Sequence, residues 1–137
     1  TLPPAGAHCE RRIVTRHLTF LLQHYDLPSL LAGKLHALIT RRYAKGRDWY
    51  DLVWYLTQRP PATPNLPLLQ NALDQTRGSG RCNAGAWRSL VRDRMGAVDI
   101  GSMAGEVRPF LERPQEASLL TRENLLGLLD AGRKIEA

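Results

Sequence analysis

The sequence predicts a mainly α fold (α+β) in which a short N-terminal strand segment leads into a helical bundle. Three observations carry that expectation. Apolar residues recur at helical spacing from Leu30 onward, β-branched and aromatic residues gather between Ile13 and Tyr25, and prolines at 60, 61, 64 and 67 divide the chain. Residues 1–28 are read as the strand-bearing region, 29–58 as a two-helix motif and 59–137 as a C-terminal helical region, with a subdomain boundary at the proline connector.

In chain order, Thr1 to Glu10 reads as an entry loop, because Pro3-Pro4 blocks regular hydrogen bonding. Ile13, Val14, Thr15, Thr19 and Phe20 favour one long strand or two short ones. Asp26-Leu27-Pro28-Ser29 opens a helix, since aspartate caps orphan amides and proline tolerates the first turn. That helix is expected to reach Arg42, and a short connection, Tyr43 to Gly46, hands the chain to a second helix that begins at Arg47 and stops near Gln58. The prolines then stiffen an extended connector. Leu69, Ala72 and Leu73 predict a short helix over Leu66 to Thr76, closed by Gly78-Ser79-Gly80, and Trp87, Leu90 and Val91 predict another over Ala84 to Met95. Ile100, Met103, Val107, Phe110 and Leu111 keep helical spacing up to Pro109, which should break the helix at Arg108. Thr121 caps a last helix, Arg122 to Asp130, before Gly132 and a charged tail expected to fray.

Composition narrows the classes. A chain of 137 residues, 43% hydrophobic and 23% charged, has ordinary globular usage and is long enough for one cored domain. Its net charge of +6 favours polyanionic partners. Cys9 and Cys82 are too few and too far apart for a disulfide framework or a zinc site, so reduced thiols and a cytoplasmic location are expected. No apolar run approaches a membrane span, so no membrane partner is expected. His8, His17, His24 and His36 lack ligand spacing, and Arg77, Arg81, Arg88, Arg92 and Arg94 read as a solvated face or an RNA-contacting one.

The informative stretch is LLAGKLHALITRRYAKGRDWYDLVWYL, residues 30–56. Lys34 and Arg41 share one helical stripe, while Asp48, Asp51 and Tyr55 share a stripe on the next helix. Trp49, Leu52, Val53 and Leu56 make an apolar stripe beside them, so two aspartates lie on an otherwise core-forming helix. Aspartate is a poor interior helix former and is rarely buried without a partner. The short connection makes Lys34 and Arg41 the expected partners.

This stretch resembles the C-terminal motif pair of the AbiEii/AbiGii toxin family of nucleotidyltransferase-like proteins: a lysine inside L-x-A-x-K-L-x-A-L, an arginine soon after, then R-D-x-x-D-L. Here these are Lys34, Arg41, Arg47, Asp48, Asp51 and Leu52. Weaker similarity runs upstream through Pro3-Pro4 and downstream through Val107-Arg108-Pro109-Phe110-Leu111. The resemblance implies the C-terminal half of a polymerase-β-like nucleotidyltransferase, residues 1–28 ending its sheet region. It also implies magnesium and a nucleotide triphosphate as cofactor and substrate of the complete protein, with an RNA (tRNA) or protein acceptor and an antitoxin partner. The chain departs from the family pattern in one respect: neither Gly78-Ser79 nor Gly101-Ser102 precedes a carboxylate pair, and no D-x-D or D-x-E occurs. The chain therefore reads as the part beyond the metal-binding half, and is expected not to transfer nucleotides alone.

Within that implication Lys34 and Arg41 contact phosphates, joined by Arg47, and Asp48 or Asp51 holds a cation or orients an incoming group, because phosphoryl transfer is mostly positioning and charge neutralisation. Lys34, Asp48 and Asp51 are thus the candidate catalytic residues, and Lys34, Arg41 and Arg47 the candidate phosphate ligands. No residue is assigned to bind metal. The competing reading of these residues is an ion-pair network that only fixes the angle between two helices. The competing function is a basic helical module that binds RNA or a partner protein without chemistry.

Overall fold

The structure, a computed structural model, describes residues 26–43 and 45–136, with side chains as far as 131. The strand expected between Ile13 and Tyr25 and the polymerase-β-like sheet lie outside the described residues. Within them all regular structure is helical: α1 (Leu27–Thr40), α2 (Gly46–Leu56), α3 (Leu66–Arg77), α4 (Trp87–Met95), α5 (Ile100–Val107) and α6 (Arg122–Glu136), with 3-10 helices at Ala84–Ala86, Arg108–Phe110 and Pro114–Leu119.

Each start has a local cause. The Asp26 carboxylate accepts the Ser29 amide at 2.8 Å and opens α1, with Pro28 in the first turn where no donor is needed. Asn65 does the same for α3 by accepting from the Leu68 amide at 3.1 Å, and Asp99 for α5 by accepting from that of Ser102 at 3.2 Å. Thr121 Oγ1 accepts from the Asn124 amide at 3.1 Å and opens α6, as its sequence predicts. Gly78, at φ +102°, gives α3 its end in a conformation that favours glycine.

The proline connector folds back rather than leading away. Ala62 donates its amide to the Tyr55 carbonyl at 3.2 Å, and Asn65 donates its backbone amide to the Pro28 carbonyl at 2.9 Å and its side-chain amide to Ser29 Oγ at 3.1 Å. This places the start of α3 at the start of α1. Further along, His36 Nε2 lies 2.7 Å from Thr76 Oγ1, and Arg77 donates to the Ile39 carbonyl at 3.0 Å, so α1 and α3 run parallel over their whole length. Because the Thr76 hydroxyl donates its proton to the Ala72 carbonyl, His36 must be the donor in its contact with Thr76. Beyond α3, Gln70 pins the returning chain from both ends of its amide, donating to the Cys82 carbonyl and accepting from the Ala84 amide.

One apolar core joins all six helices. Leu31, Leu35 and Leu38 of α1 meet Trp49, Leu52 and Val53 of α2, Leu69 and Leu73 of α3, Trp87, Val91 and Met95 of α4, Ile100 and Val107 of α5, and Leu125 and Leu129 of α6. The apolar stripes expected on the first two helices are thus both buried. Gly46 is buried because α2 begins in contact with α5: a Cβ there would lie 2.5 Å from the Met103 carbonyl oxygen. Two expectations need correcting. The last helix does not stop near Asp130 but continues past Gly132 to Glu136, since an interior glycine costs only about 1 kcal/mol relative to alanine. A 3-10 helix at Pro114–Leu119, which carries no apolar periodicity, was not foreseen.

Candidate functional site

The site forms where α1 and α2 face each other. Lys34 lies one turn after Leu30 on the edge of α1's buried stripe, so its stem packs against apolar surface while its ammonium reaches α2. Its Nζ is 2.8 Å from Asp48 Oδ1 and 3.0 Å from Asp51 Oδ2. Asp48 and Asp51 are adjacent on α2 because residues three apart share a face. Arg41, just past the end of α1, approaches Asp48 Oδ2 at 3.8 Å with its side chain mostly exposed. Arg47 is exposed on the first turn of α2 and makes no ion pair among the described residues, but its charge draws the Asp51 carboxyl downward.

The two carboxylates are not equivalent. Asp48 sits at the third position of α2, where it accepts the Lys45 amide at 3.2 Å in addition to the Lys34 hydrogen bond. Burial works against its charge, but the hydrogen bond and charge of Lys34, the Lys45 amide and Arg41 outweigh it, holding its carboxyl below the ordinary aspartate value. Asp51 is enclosed to a similar extent, its side chain 16% exposed against 12% for Asp48. Burial pushes its carboxyl above the ordinary value despite the pull of Lys34, and its Oδ1 is buried without a hydrogen-bond partner among the described residues. Burial also opposes the charge on Lys34, yet Asp51 and Asp48 together raise its pKa.

Around this cluster lie groups that sequence reasoning did not assign. Tyr50 donates its hydroxyl to Glu116 Oε2 at 3.0 Å, and burial, the Glu116 hydrogen bond and nearby Asp51 push its pKa up to about 12. Burial and Asp51 push the neighbouring Tyr55 up to about 12 as well. Both phenols therefore remain neutral donors at any physiological pH. Glu116 comes from the unforeseen 3-10 helix, and no pattern within α2 pointed to it. A separate open cleft of about 300 Å³, lined by Gly101, Ala104, Gly105, Arg108 and Gln115 among others, includes none of the cluster residues.

The arginines read from the sequence as a solvated face are differently used. Arg94 of α4 donates to the carbonyls of Arg41 at 2.8 Å, Arg42 at 3.3 Å and Leu38 at 3.4 Å, and Arg77 of α3 to that of Ile39 at 3.0 Å. Two guanidinium groups thus occupy the carbonyls that the end of α1 leaves without intrahelical donors. Arg122 does the same for α4, donating to the Met95 and Val98 carbonyls. Arg92 pairs with Asp130 at 2.6 Å, and Arg88 stacks over Trp87. Arg81 remains exposed.

No group of three or more metal-ligating side chains occurs among the described residues. Between Asp48 and Asp51, the space a cation would take is filled by the Lys34 ammonium, so this carboxylate pair does not fit a magnesium ion.

The fold and site define a helical module whose first two helices enclose a desolvated lysine between two unequal carboxylates. The chain belongs to the nucleotidyl transferase AbiEii toxin family, a type IV toxin-antitoxin system, whose family model matches residues 1–122. No curated protein and no solved structure matches it. Among the described residues no helix is long and apolar enough to cross a membrane.

Proposed function

We propose that the Lys34–Asp48–Asp51 cluster is the nucleotide-handling part of a nucleotidyl transfer site, taking a nucleotide triphosphate as donor and an RNA or protein hydroxyl as acceptor. Lys34 and Arg41 bind the phosphates, the arginine through a planar fork that a lysine cannot reproduce. Asp48 holds Lys34 in place, since both its oxygens are engaged. Asp51 orients the acceptor and takes its proton as the acceptor oxygen bonds to phosphorus and pyrophosphate leaves. Magnesium belongs to this reaction in the complete protein, gripped by carboxylates other than this pair, and an antitoxin is its partner in the cell.

The observation that supports this reading is the asymmetry of the two aspartates around one lysine. An ion-pair network serving only to fix two helices gains nothing from a buried carboxylate oxygen without a partner, because such a group costs about 1–3 kcal/mol. A proton acceptor needs a free oxygen and a carboxyl pKa displaced upward toward the working pH, and Asp51 has both.

Equilibrium binding of labelled nucleotide triphosphates to the chain tests it through opposite signs. Lys34→Gln is expected to weaken binding about tenfold or more, the loss of one charge-assisted contact. Asp51→Asn removes a carboxylate competing for the same ammonium and is expected to tighten binding, with added salt weakening both. A chain that binds no triphosphate, or whose weak binding ignores both substitutions, has only a structural ion-pair network at this position.

A further inference from the structure

We propose that the turn joining α1 to α2 is a docking platform for single-stranded RNA, with Tyr43 stacking on an unpaired base and Arg42, Lys45 and Arg47 contacting the flanking phosphates. The turn carries four cations, Arg41, Arg42, Lys45 and Arg47, with no acidic residue between them. Arg41 leans toward Asp48, while Arg42, Lys45 and Arg47 are exposed and form no ion pair among the described residues.

At the centre of this charge stands Tyr43, 78% exposed, the most exposed of the large hydrophobic side chains described. Its ring contributes nothing to the core. The Arg42 guanidinium covers it from one side, 5.4 Å from the ring centroid, and cations so placed both hold an aromatic ring and leave its other face open. An exposed ring among unpaired cations is the composition of a single-strand site, in which bases stack on aromatic faces while the groove tracks the backbone. A duplex hides its base faces, and an acidic peptide offers none, so neither makes use of Tyr43.

The turn is also held from beneath. Arg94 donates to the carbonyls of Arg41 and Arg42, the residues immediately before Tyr43, which holds the backbone leading into Tyr43 and adds charge without covering the ring. Preorganisation of this kind lowers the entropy lost on binding. Arg41, where the turn begins, lies seven residues after Lys34, about 10 Å at the helical rise. A strand stacked on Tyr43 can therefore present its end to Asp51. Only the description of that strand as the acceptor rests on the nucleotide reading of Lys34; its affinity for the turn does not.

The test measures fluorescence anisotropy of a short, labelled, unstructured RNA with the full 137-residue chain. Three phosphate contacts predict an affinity that falls about twentyfold between about 50 and 200 mM salt. Tyr43→Ala is expected to weaken binding about fivefold to a hundredfold with an unchanged circular dichroism spectrum, and Tyr43→Trp to restore it. Arg59→Ala, beyond the far end of α2, a helix about 16 Å long, should leave affinity unchanged. Full affinity in Tyr43→Ala, equal affinity for a duplex of the same sequence, or equally strong displacement by a poly-glutamate peptide would each overturn the platform. Lys34→Gln separates the two readings: triphosphate binding lost with Tyr43-dependent RNA binding retained supports both sites. RNA binding without any triphosphate binding in the parent chain sinks the nucleotide reading alone.

Discussion

Lys34 lies among carboxylates, whereas Arg77 and Arg94, at the end of the same helix, donate into backbone carbonyls. The difference is in what would be left behind without each cation. Around Lys34 its removal strands two like charges at half-buried positions, and the charges themselves respond by shifting their protonation. At the end of α1 removal strands neutral carbonyls, which water satisfies if it can reach them. Ionic compensation ties this protein's fold to pH at one place, and amide compensation leaves it indifferent to pH at the end of the same helix.

The comparison can be broken most directly at Lys34. Lys34→Met leaves Asp48 and Asp51 facing each other and is expected to cost about 3 kcal/mol in urea unfolding at neutral pH, the lower end for a broken buried pair because the side chain is 22% exposed. Adding Asp51→Asn should return much of that loss, a coupling that a double-mutant cycle reads directly. A neutral Lys34→Met would mean that the cluster is solvated. Arg94→Ala should cost about 2 kcal/mol through its lost carbonyl contacts, with Arg94→Lys recovering little because an ammonium lacks the fork.

A subtler distinction comes from pH. The folded Asp51 carboxyl titrates above its unfolded value, so the folded state holds the proton more tightly and this group's contribution is lost as pH rises through that range. Asp48 is opposite: its contribution is present above the unfolded value and lost as pH falls through the depressed folded one. Asp51→Asn mimics the protonated state. Relative to the parent chain it should therefore gain stability as pH rises from about 4 toward 7, whereas Asp48→Asn should lose it over a lower window, as pH rises from about 2 to 5, as followed by chemical unfolding at each pH. Arg94→Ala should show a constant difference across the same range. The smallest effect belongs to Arg92→Ala, whose short pair with Asp130 is exposed on both sides and is expected to change stability by no more than about 0.5 kcal/mol.

Much of the Lys34 site was legible from spacing. Two stripes, one basic and one acidic, separated by a short connection, suffice to put Lys34 against Asp48 and Asp51, and the apolar stripe of α2 identifies Trp49 and Leu52 as core. What spacing did not reveal was the inequality of the aspartates, because it arises from the Lys45 backbone amide that Asp48 accepts. Arg77 and Arg94, which read from the sequence as part of a face, cap carbonyls instead, for a similar reason. A guanidinium that reaches across to another helix's carbonyls obeys no period in its own helix. Glu116 was invisible in the same way, coming from a 3-10 segment with no apolar repeat to announce it.

Gly46 gives the acidic helix a fixed address. Because the Met103 carbonyl already occupies the place of a Cβ, α2 can sit against α5 at this distance only while residue 46 has no side chain. Any larger residue must lift the first turn by about 1 Å in an interior that transmits displacement rather than absorbing it. Asp48 rides on that turn and Asp51 on the next, so their reach to Lys34 is set by a hydrogen atom on the far side of the helix. Charge geometry here can thus be retuned by a neutral substitution, leaving every ionisable residue of the cluster in place.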